Sequence, residues 1–256
     1  MILLADVGNT CIKWGLFNDG VISAHGALAH ADKPVLEVLT AAWVKLASPA
    51  RIVVSNVAGA LFGEKLERYC RERFNQAPEF VQPTPRACGV INGYSQPTQL
   101  GADRWAAVIG AYHLYAGPVC IIGCGTAITV DTVTREGRHL GGLIAPGIGV
   151  MQRALAAAAP AIPQEPGGTV TLYARDTRTA VSSGILYAVA GLVERASAEI
   201  RVQQGARTKF LLTGGDAERV ISVAQGRFTL VPHLVLEGLA VRSEEHTSEL
   251  QSLSHL

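Results

Sequence analysis

The residues best suited to chemistry lie close to the start of the chain, where an acidic and a basic side chain flank a turn. Between Asp6 and Lys13 stand the turn residues Gly8, Asn9 and Thr10. Such a turn tolerates positive φ and can direct backbone N–H groups and a hydroxyl at an anion. The carboxylate of Asp6 is a hard oxygen ligand for a metal ion. The segment predicts metal–phosphate chemistry, with an ordinary solvated hairpin turn as the alternative.

A second charged pair, Asp103 and Arg104, stands at the predicted start of a helix that runs to about Tyr115. The helix dipole stabilises a carboxylate at that end, and the five N–H donors of arginine suit a carboxylate or phosphate partner. An aspartate in the first helical turn is also a common cap. The sequence therefore leaves two interpretations of Asp103, chemistry and capping.

Two further glycine-rich turns follow buried strands. The run 119–122 leads into Gly123, Gly125 and Thr126, and the run 128–133 continues as a strand, so this layout repeats that of the first turn. Gly125 and Thr126 suit a second phosphate contact. The other turn, 213–217, contains paired glycines that let a backbone lie against a planar ligand or against another strand.

The elements that must position these residues alternate between strands and helices, which is typical of an α/β fold. The pattern predicts an antiparallel hairpin over residues 1–17, whose first strand stops at Asp6, with a third strand at 21–27. Later strands are predicted at 51–55, 209–212 and 228–231. Helices are predicted at 33–46, 61–74, 150–159 and 177–195. The proline-rich loop 83–97 is long enough to expect a ligand beside it.

Composition excludes several classes of function. The net charge is +1, aromatic residues are few, and no basic cluster suits nucleic acid. The uncharged stretch between Arg104 and Asp131 is interrupted by Gly, Pro118 and His113, so no membrane span is predicted. Five cysteines without zinc-ligand spacing, and the lack of a signal peptide, fit reduced thiols in a cytosol. The histidines, among them His113 and His139, show no ligand spacing and are interpreted as structural or exposed.

Five motifs in register resemble those of type III pantothenate kinases. They are residues 6–13, 101–104, 125–131, 141–147 and 213–217. The resemblance covers residues 1–241 and implies a duplicated actin-like ATPase (ribonuclease H-like) fold, with two α/β halves, each with a mixed sheet, around a nucleotide cleft. The halves are expected at 1–116 and 117–241.

The resemblance also implies an activity, the ATP-dependent phosphorylation of pantothenate to 4'-phosphopantothenate, which is the first step of coenzyme A biosynthesis. Asp103 would be the catalytic base, and Asp6 would hold Mg²⁺ through water. The implied ATP-binding residues are Asp6, Val7, Gly8, Asn9, Thr10, Cys11, Ile12, Lys13, Gly125, Thr126, Gly214 and Gly215. The implied pantothenate-binding residues are Tyr94, Gly101, Ala102, Asp103, Arg104 and Thr177.

One position departs from that family's pattern. Many members carry an aspartate two residues before the Gly-Thr pair, where a potassium ion binds, and this chain has Gly123 there. The departure argues against a requirement for K⁺ or NH₄⁺. The resemblance further implies a cytoplasmic homodimer, and it leaves open whether Arg104 binds the pantothenate carboxylate or fixes its own loop.

Two other functions compete with this one. The first is an actin-like kinase for another small hydroxyl substrate, and the second is a catalytically idle, nucleotide-binding regulatory relative. The presence of Asp6, Lys13 and Asp103 argues against the idle relative. The chain lacks the Walker A, His-Glu-x-x-His and Ser-x-x-Lys patterns, which excludes P-loop, zinc-protease and β-lactamase chemistry of those types.

The last residues differ in character from the body of the chain. Residues 242–256 look like the in-frame translation of a sequencing-library adapter. We therefore expect a non-native tail there, with a poorly ordered natural tail as the alternative.

Overall fold

The computed structural model describes residues 1–30, 33–163, 165 and 167–253. The chain divides into two compact units. Unit 1 comprises residues 1–114, 137–139 and the segment from Leu234 onward, and unit 2 comprises residues 115–136 and 140–233. In the described part of the chain, no helix is both long enough and apolar enough to cross a lipid bilayer.

Strands and helices alternate along the chain as the sequence predicts. The strands are β1 (Ile2–Val7), β2 (Cys11–Asn18), β3 (Val21–Ala29), β4 (Arg51–Asn56), β5 (Glu79–Phe80), β6 (Arg86–Ala87), β7 (Val90–Ile91), β8 (Val119–Cys124), β9 (Ala127–Val133), β10 (His139–Pro146), β11 (Lys209–Thr213) and β12 (Thr229–Leu230). The helices are α1 (Val35–Trp43), α2 (Ala60–Phe74), α3 (Ala102–Leu114), α4 (Ile148–Ala158), α5 (Thr177–Gln204), α6 (Ala217–Ile221) and α7 (Leu234–Leu253).

Unit 1 is built on a five-stranded mixed sheet in the order β3-β2-β1-β4-β5. β1 is antiparallel to β2 and parallel to β4, which confirms the predicted hairpin and third strand. The sequence placed Asp6 at the end of the first strand, but β1 continues to Val7. The reason is that Asp6 has pairing partners on both sides, Lys13 in β2 and Ser55 in β4.

Successive side chains of β1 point to opposite faces of the sheet. Leu3, Ala5 and Val7 belong to a buried core shared with α1 and α2. Asp6 therefore projects from the other face, together with Leu4. The alternation places the carboxylate away from the apolar core that forms on the face of α1 and α2.

Unit 2 repeats the same strand order, β10-β9-β8-β11-β12. β8 is antiparallel to β9 and parallel to β11, as β1 is to β2 and β4. In this arrangement Gly123 pairs with Thr129 and Thr213, so it stands where Asp6 stands in unit 1. The repetition that the sequence predicted is confirmed strand by strand.

The C-terminal helix α7 packs against α3 in unit 1 through two glycines. A Cβ at Gly238 would lie 1.8 Å from the carbonyl oxygen of Ala106, and one at Gly110 would lie 2.8 Å from the backbone of Leu234 and of Gly238. Real Cβ atoms do not approach backbone atoms so closely, so both positions require glycine. The helix that begins beside Asp103 is thereby held at backbone contact. The residues from Arg242 to Leu253 continue α7.

Candidate active site

Asp6 is an ionisable group of unit 1 in an unusual environment. Its Oδ1 atom is inaccessible to solvent and has no hydrogen-bond partner among the residues that the structure describes. Burial and, after it, the charge of Asp103 together raise the pKa of Asp6 to about 7, and Lys13 and Ser55 oppose the shift. The pairing of β1 with β2 and the start of α3 thus bring two carboxylates and one ammonium group into one electrostatic neighbourhood.

The first turn, residues 8–10, connects Asp6 to Lys13. It is closed by a hydrogen bond from the N–H of Gly8 to the carbonyl of Cys11, at 3.0 Å. Asn9 and Thr10 are exposed at its tip. The predicted turn is therefore present, with its polar residues where an anion can reach them.

Asp103 lies in the first turn of α3, as predicted. Its Oδ1 accepts a hydrogen bond from the backbone N–H of Arg104, at 2.7 Å, so part of the carboxylate does serve the helix end. Gly101 leaves the room for this carboxylate, because a Cβ there would lie 2.6 Å from the same oxygen. Capping and chemistry are therefore compatible for Asp103.

Arg104 is nearly buried, with 8% of it exposed. Its Nη1 donates a hydrogen bond to the hydroxyl of Tyr94, at 2.8 Å, and its guanidinium carbon lies 5.5 Å from the centre of the Tyr94 ring. Of the two roles left open by the sequence, the structure supports loop fixation. The side chain ties α3 to the loop that carries Tyr94.

His139 is a buried residue of this region whose contacts the sequence did not predict. It is 2% exposed, and its ring lies parallel to that of Tyr94, with centroids 5.9 Å apart. Its Nδ1 accepts a long hydrogen bond from the N–H of Gly93, at 3.5 Å. A lone histidine after a turn gives no signal of this role, because the contact joins segments far apart in sequence. The interpretation of His139 as structural is confirmed, and it supports the Tyr94 loop.

In unit 2 the turn of Gly125 and Thr126 is held by backbone groups. The N–H of Gly147 donates to the carbonyl of Thr126 at 2.9 Å, and the N–H of Asp216 donates to the carbonyl of Cys124 at 3.0 Å. A Cβ at Gly214 would lie 2.3 Å from the Cys124 carbonyl oxygen. The two glycine-rich segments that the sequence singled out in this half, 125–126 and 214–215, therefore meet.

Position 123 is where the resemblance noted in the sequence leads one to expect an aspartate, and this chain has glycine. A Cβ at Gly123 would lie 2.5 Å from Oγ1 of Thr129. The threonine hydroxyl thus occupies the space into which a carboxylate at this position would extend. The residues present do not fit a cation site built on an aspartate.

Thr177 is the exposed first residue of α5. The helix start is capped by Asp176, whose Oδ1 accepts a hydrogen bond from the N–H of Thr179 at 2.8 Å. The cap leaves Thr177 at the solvent-exposed tip of the helix.

The environment of Asp6 also fits a divalent cation. Mg²⁺ is usually bound through one or two carboxylates together with phosphate oxygens and water. A buried carboxylate oxygen without a partner, facing a second carboxylate, gains from such a charge. Within the described ranges, no three His, Cys, Asp or Glu side chains form a metal-binding group.

Comparison with known sequences gives a consistent result. The profile of the type III pantothenate kinase family matches residues 2–199. A type III pantothenate kinase from Azoarcus sp. (strain BH72) is 43% identical over 243 residues, covering 94% of this chain and 90% of the relative. One from Nitrosococcus oceani is 36% identical over 257 residues, covering 98% and 96%.

Solved structures of low sequence identity share the fold. A protein from Campylobacter jejuni that is named for the Baf family of transcriptional activators matches with a TM-score of 0.61 at 20% identity, covering 96% of this chain and 99% of that one. MreB 5 of Spiroplasma citri, bound to AMPPNP, matches with a TM-score of 0.53 at 10% identity, covering 98% of each chain. These likenesses show the duplicated actin-like fold.

Proposed function

Because this chain belongs to the type III pantothenate kinase family, we propose that it transfers the γ-phosphoryl group of ATP to the hydroxyl of pantothenate, the first step of coenzyme A biosynthesis. The observation that carries this proposal is the convergence of Asp6, Lys13 and Asp103 in unit 1. Phosphoryl transfer depends on positioning and on neutralising charge. Two carboxylates and an ammonium group beside an anion-binding turn supply both.

The nucleotide is assigned to the glycine-rich turns. Residues 6–13 bind the phosphates through the turn amides and Lys13, with Gly125 and Thr126 as further phosphate contacts and Gly214 and Gly215 beside the nucleotide. Asp6 would hold Mg²⁺ through water. When bound, this ion would neutralise charge on the phosphates.

Asp103 is proposed as the catalytic base. The start of α3 fixes its position, and the hydrogen bond from Arg104 N–H orients one carboxylate oxygen. An aspartate can serve here because the loose transition state of phosphoryl transfer requires an oriented hydroxyl more than a strong base. Asp103 aligns the pantothenate hydroxyl and accepts its proton as the bond to phosphorus forms.

Pantothenate binding is assigned to Tyr94, to residues 101–104 and to Thr177. Arg104 acts in this site through its hydrogen bond to the Tyr94 hydroxyl, which fixes the loop. The fixed loop lowers the entropy lost when the substrate binds.

We expect turnover without any monovalent cation. The support is local, because Thr129 fills the space beside Gly123. Activity that is equal in potassium, ammonium and tetramethylammonium salts is the expected result. A strong stimulation by K⁺ or NH₄⁺ would contradict this part of the proposal.

A cytoplasmic homodimer is also proposed. Unit 2 exposes Leu140, Leu143 and Ile144 on β10, the edge strand of its sheet, and exposed apolar side chains on a sheet edge favour association. Light scattering coupled to size exclusion is expected to give twice the chain mass, and a monomer would refute the dimer. All five cysteines are thiols, which suits a reducing compartment.

The deciding experiment is a coupled ADP-release assay on the full chain with ATP and Mg²⁺, with and without pantothenate. Pantothenate-dependent ADP is expected. The matched control is Asp103→Asn, which should lower turnover by about 10²-fold or more while nucleotide binding is retained. A folded, ATP-binding protein that releases no ADP with pantothenate would point to another acceptor. An Asn variant with full turnover would remove Asp103 from catalysis.

A further inference from the structure

His30, a residue outside the site assigned above, forms hydrogen bonds to the first turn, residues 8–10. His30 follows β3, and 8% of it is exposed. Its ring nitrogen Nε2 lies 2.7 Å from the carbonyl oxygen of Gly8, and its backbone N–H donates to the carbonyl of Thr10 at 3.0 Å. Both carbonyls belong to the turn 8–10. One residue therefore anchors the turn at both of its ends.

The ring of His30 is fixed in a defined state by its neighbours. Because the partner at Gly8 is a carbonyl oxygen, Nε2 must carry a hydrogen and act as the donor. The ring also packs against Phe62 of α2, with centroids 4.9 Å apart and planes inclined by 53°. The imidazole is thus held between the turn and α2, and it cannot swing away without losing the aromatic contact.

This bond sets the direction of a neighbouring amide. The carbonyl of Gly8 and the N–H of Asn9 belong to the same peptide group, and the described chain contains no cis peptide bond. In a trans peptide the C=O and N–H vectors point in opposite directions. A Gly8 carbonyl directed at His30 therefore turns the Asn9 N–H away from the ring, toward the outer side of the turn. On that side an N–H attracts a phosphate, whereas a carbonyl oxygen would repel it.

We propose that His30 is a positioning residue for the nucleotide, which acts by fixing the Gly8–Asn9 peptide so that the Asn9 amide faces the phosphates. This inference rests on the proposed function, in which residues 8–10 contact ATP. His30 touches neither substrate and takes part in no proton transfer.

Two substitutions separate the donor from the ring. His30→Phe keeps an aromatic ring against Phe62 and removes the donor. His30→Gln keeps an N–H donor at a similar reach and removes the ring. Since one hydrogen bond contributes on the order of 1 kcal/mol, we expect His30→Phe to weaken binding about fivefold and His30→Gln to stay within about twofold of the wild type.

The measurement is a fluorescence titration with a mant-labelled ATP analogue and Mg²⁺, without pantothenate, together with urea denaturation of each protein. The proposal requires that the two variants rank in opposite order by nucleotide affinity and by stability to urea. His30→Gln should bind the nucleotide better, and His30→Phe should be the more stable because its ring still packs on Phe62. Affinity that follows stability would show a merely structural role and overturn the proposal, as would equal affinity of His30→Phe and wild type.

The kinase assay tests the role of His30 separately from the proposed kinase function. His30→Phe is expected to raise the KM for ATP and leave the KM for pantothenate unchanged. Wild-type protein that binds the analogue but phosphorylates no pantothenate would refute the proposed function. The role of His30 in nucleotide binding would still be decided by the fluorescence titration. Wild-type protein that binds no analogue would overturn both.

The proposal can also be tested on the wild-type protein, in case the variants do not fold. A long-range ¹H–¹⁵N correlation spectrum reports which ring nitrogen of a histidine carries the hydrogen. The hydrogen is expected on Nε2 of His30 at neutral pH. A neutral ring with its hydrogen on Nδ1 would overturn the proposal.

Discussion

The two strand–turn–strand segments of this protein occupy equivalent places in equivalent sheets, yet their chemistry is opposite. At the position where β1 carries Asp6 between Lys13 and Ser55, β8 carries Gly123 between Thr129 and Thr213. The first segment gathers ionisable groups and holds a buried carboxylate. The second is neutral at the same positions. The two units thus share one strand arrangement, and at these three compared positions only unit 1 carries ionisable side chains.

The two turns are also braced differently. Turn 8–10 is held by a side chain, the imidazole of His30, in addition to its backbone hydrogen bonds. The turn of Gly125 and Thr126 is held by backbone, since Gly147 approaches its carbonyl oxygens, and Gly214 approaches that of the preceding Cys124, so closely that no side chain fits. A side-chain brace can be altered without disturbing the main chain, and a backbone brace cannot. The comparison predicts that substitutions of Asp6, Lys13 and His30 around the first turn change function first, and that substitutions of Gly147 and Gly214 in unit 2 change stability first.

The largest effect is expected from removing the charge that distinguishes the first turn. Asp6→Asn should lower turnover by about 10²-fold or more, because the Mg²⁺ proposed to be held there would stabilise the transition state by several kcal/mol. The coupled ADP assay measures this loss. An Asp6→Asn variant that retains most of its turnover would show that the charge at the first turn is not needed for catalysis.

The same substitution should stabilise the metal-free protein at alkaline pH. The pKa of Asp6 in the fold, about 7, lies above its ordinary value of 3.8, so protonated Asp6 stabilises the fold at low pH and that contribution is lost as pH rises through 7. A shift of about three units is worth about 4 kcal/mol. In EDTA, urea denaturation should show Asp6→Asn more stable than wild type by about this amount at pH 8, and by little near pH 4. Equal stability at pH 8 would contradict the argument.

Adjacent glycines test the backbone brace of unit 2. Gly214 has φ of +104° and a Cβ there would lie 2.3 Å from the Cys124 oxygen, whereas a Cβ at Gly215 meets nothing within 4 Å. We expect Gly214→Ala to lower the free energy of unfolding by about 3 kcal/mol, from backbone strain and overpacking. Gly215→Ala, the matched control, should change it by less than about 0.5 kcal/mol. Equal losses of unfolding free energy in the two variants would contradict the claim that only Gly214 is in close backbone contact.

A second glycine pair compares the long helices of the two units. Gly238 of α7 contacts Ala106 so closely that a side chain at position 238 would clash with it. By contrast, a Cβ at Gly191 of α5 would have no atom within 4 Å. Gly238→Ala should destabilise unit 1 by about 2 kcal/mol or more and shift α3. Gly191→Ala should stabilise its helix by about 0.5 to 1 kcal/mol. Thermal denaturation gives both signs, and a neutral Gly238→Ala would refute the close helix contact.

The smallest effect is a difference in thiol reactivity between the two turns. Burial raises the pKa of both thiols, but Cys11, beside the first turn, is partly exposed, whereas Cys124, before the second, is fully buried and its pKa is raised to about 12. Cys70, Cys88 and Cys120 also have pKa values raised to about 12. Because the thiolate is the reactive form, native protein at pH 8 should release one equivalent of thionitrobenzoate from DTNB first, and Cys11→Ser should abolish that phase. Protection by Mg²⁺ and ATP would place Cys11 at the nucleotide.

The sequence predicted local structure well. The apolar runs of residues 2–5 and 119–122 predicted strands, and the glycine turns after them predicted hairpins, because strand period and turn residues are encoded within a few positions. The pairing of Asp6 inside β1 was not predicted, since a polar residue after an apolar run is typical of a strand end. Ser55 supplies its second strand partner from residues far along the chain.

The sequence by itself determined the repeated frame, the family and the polar residues that its motifs carry, since each depends on neighbours in the chain. Only the tertiary structure decided what holds those residues in place. His30 reaches Gly8, His139 reaches Tyr94, and α7 reaches α3 across long separations. Such contacts depend on how distant segments close upon one another. The spacing of residues along one segment contains no record of that packing.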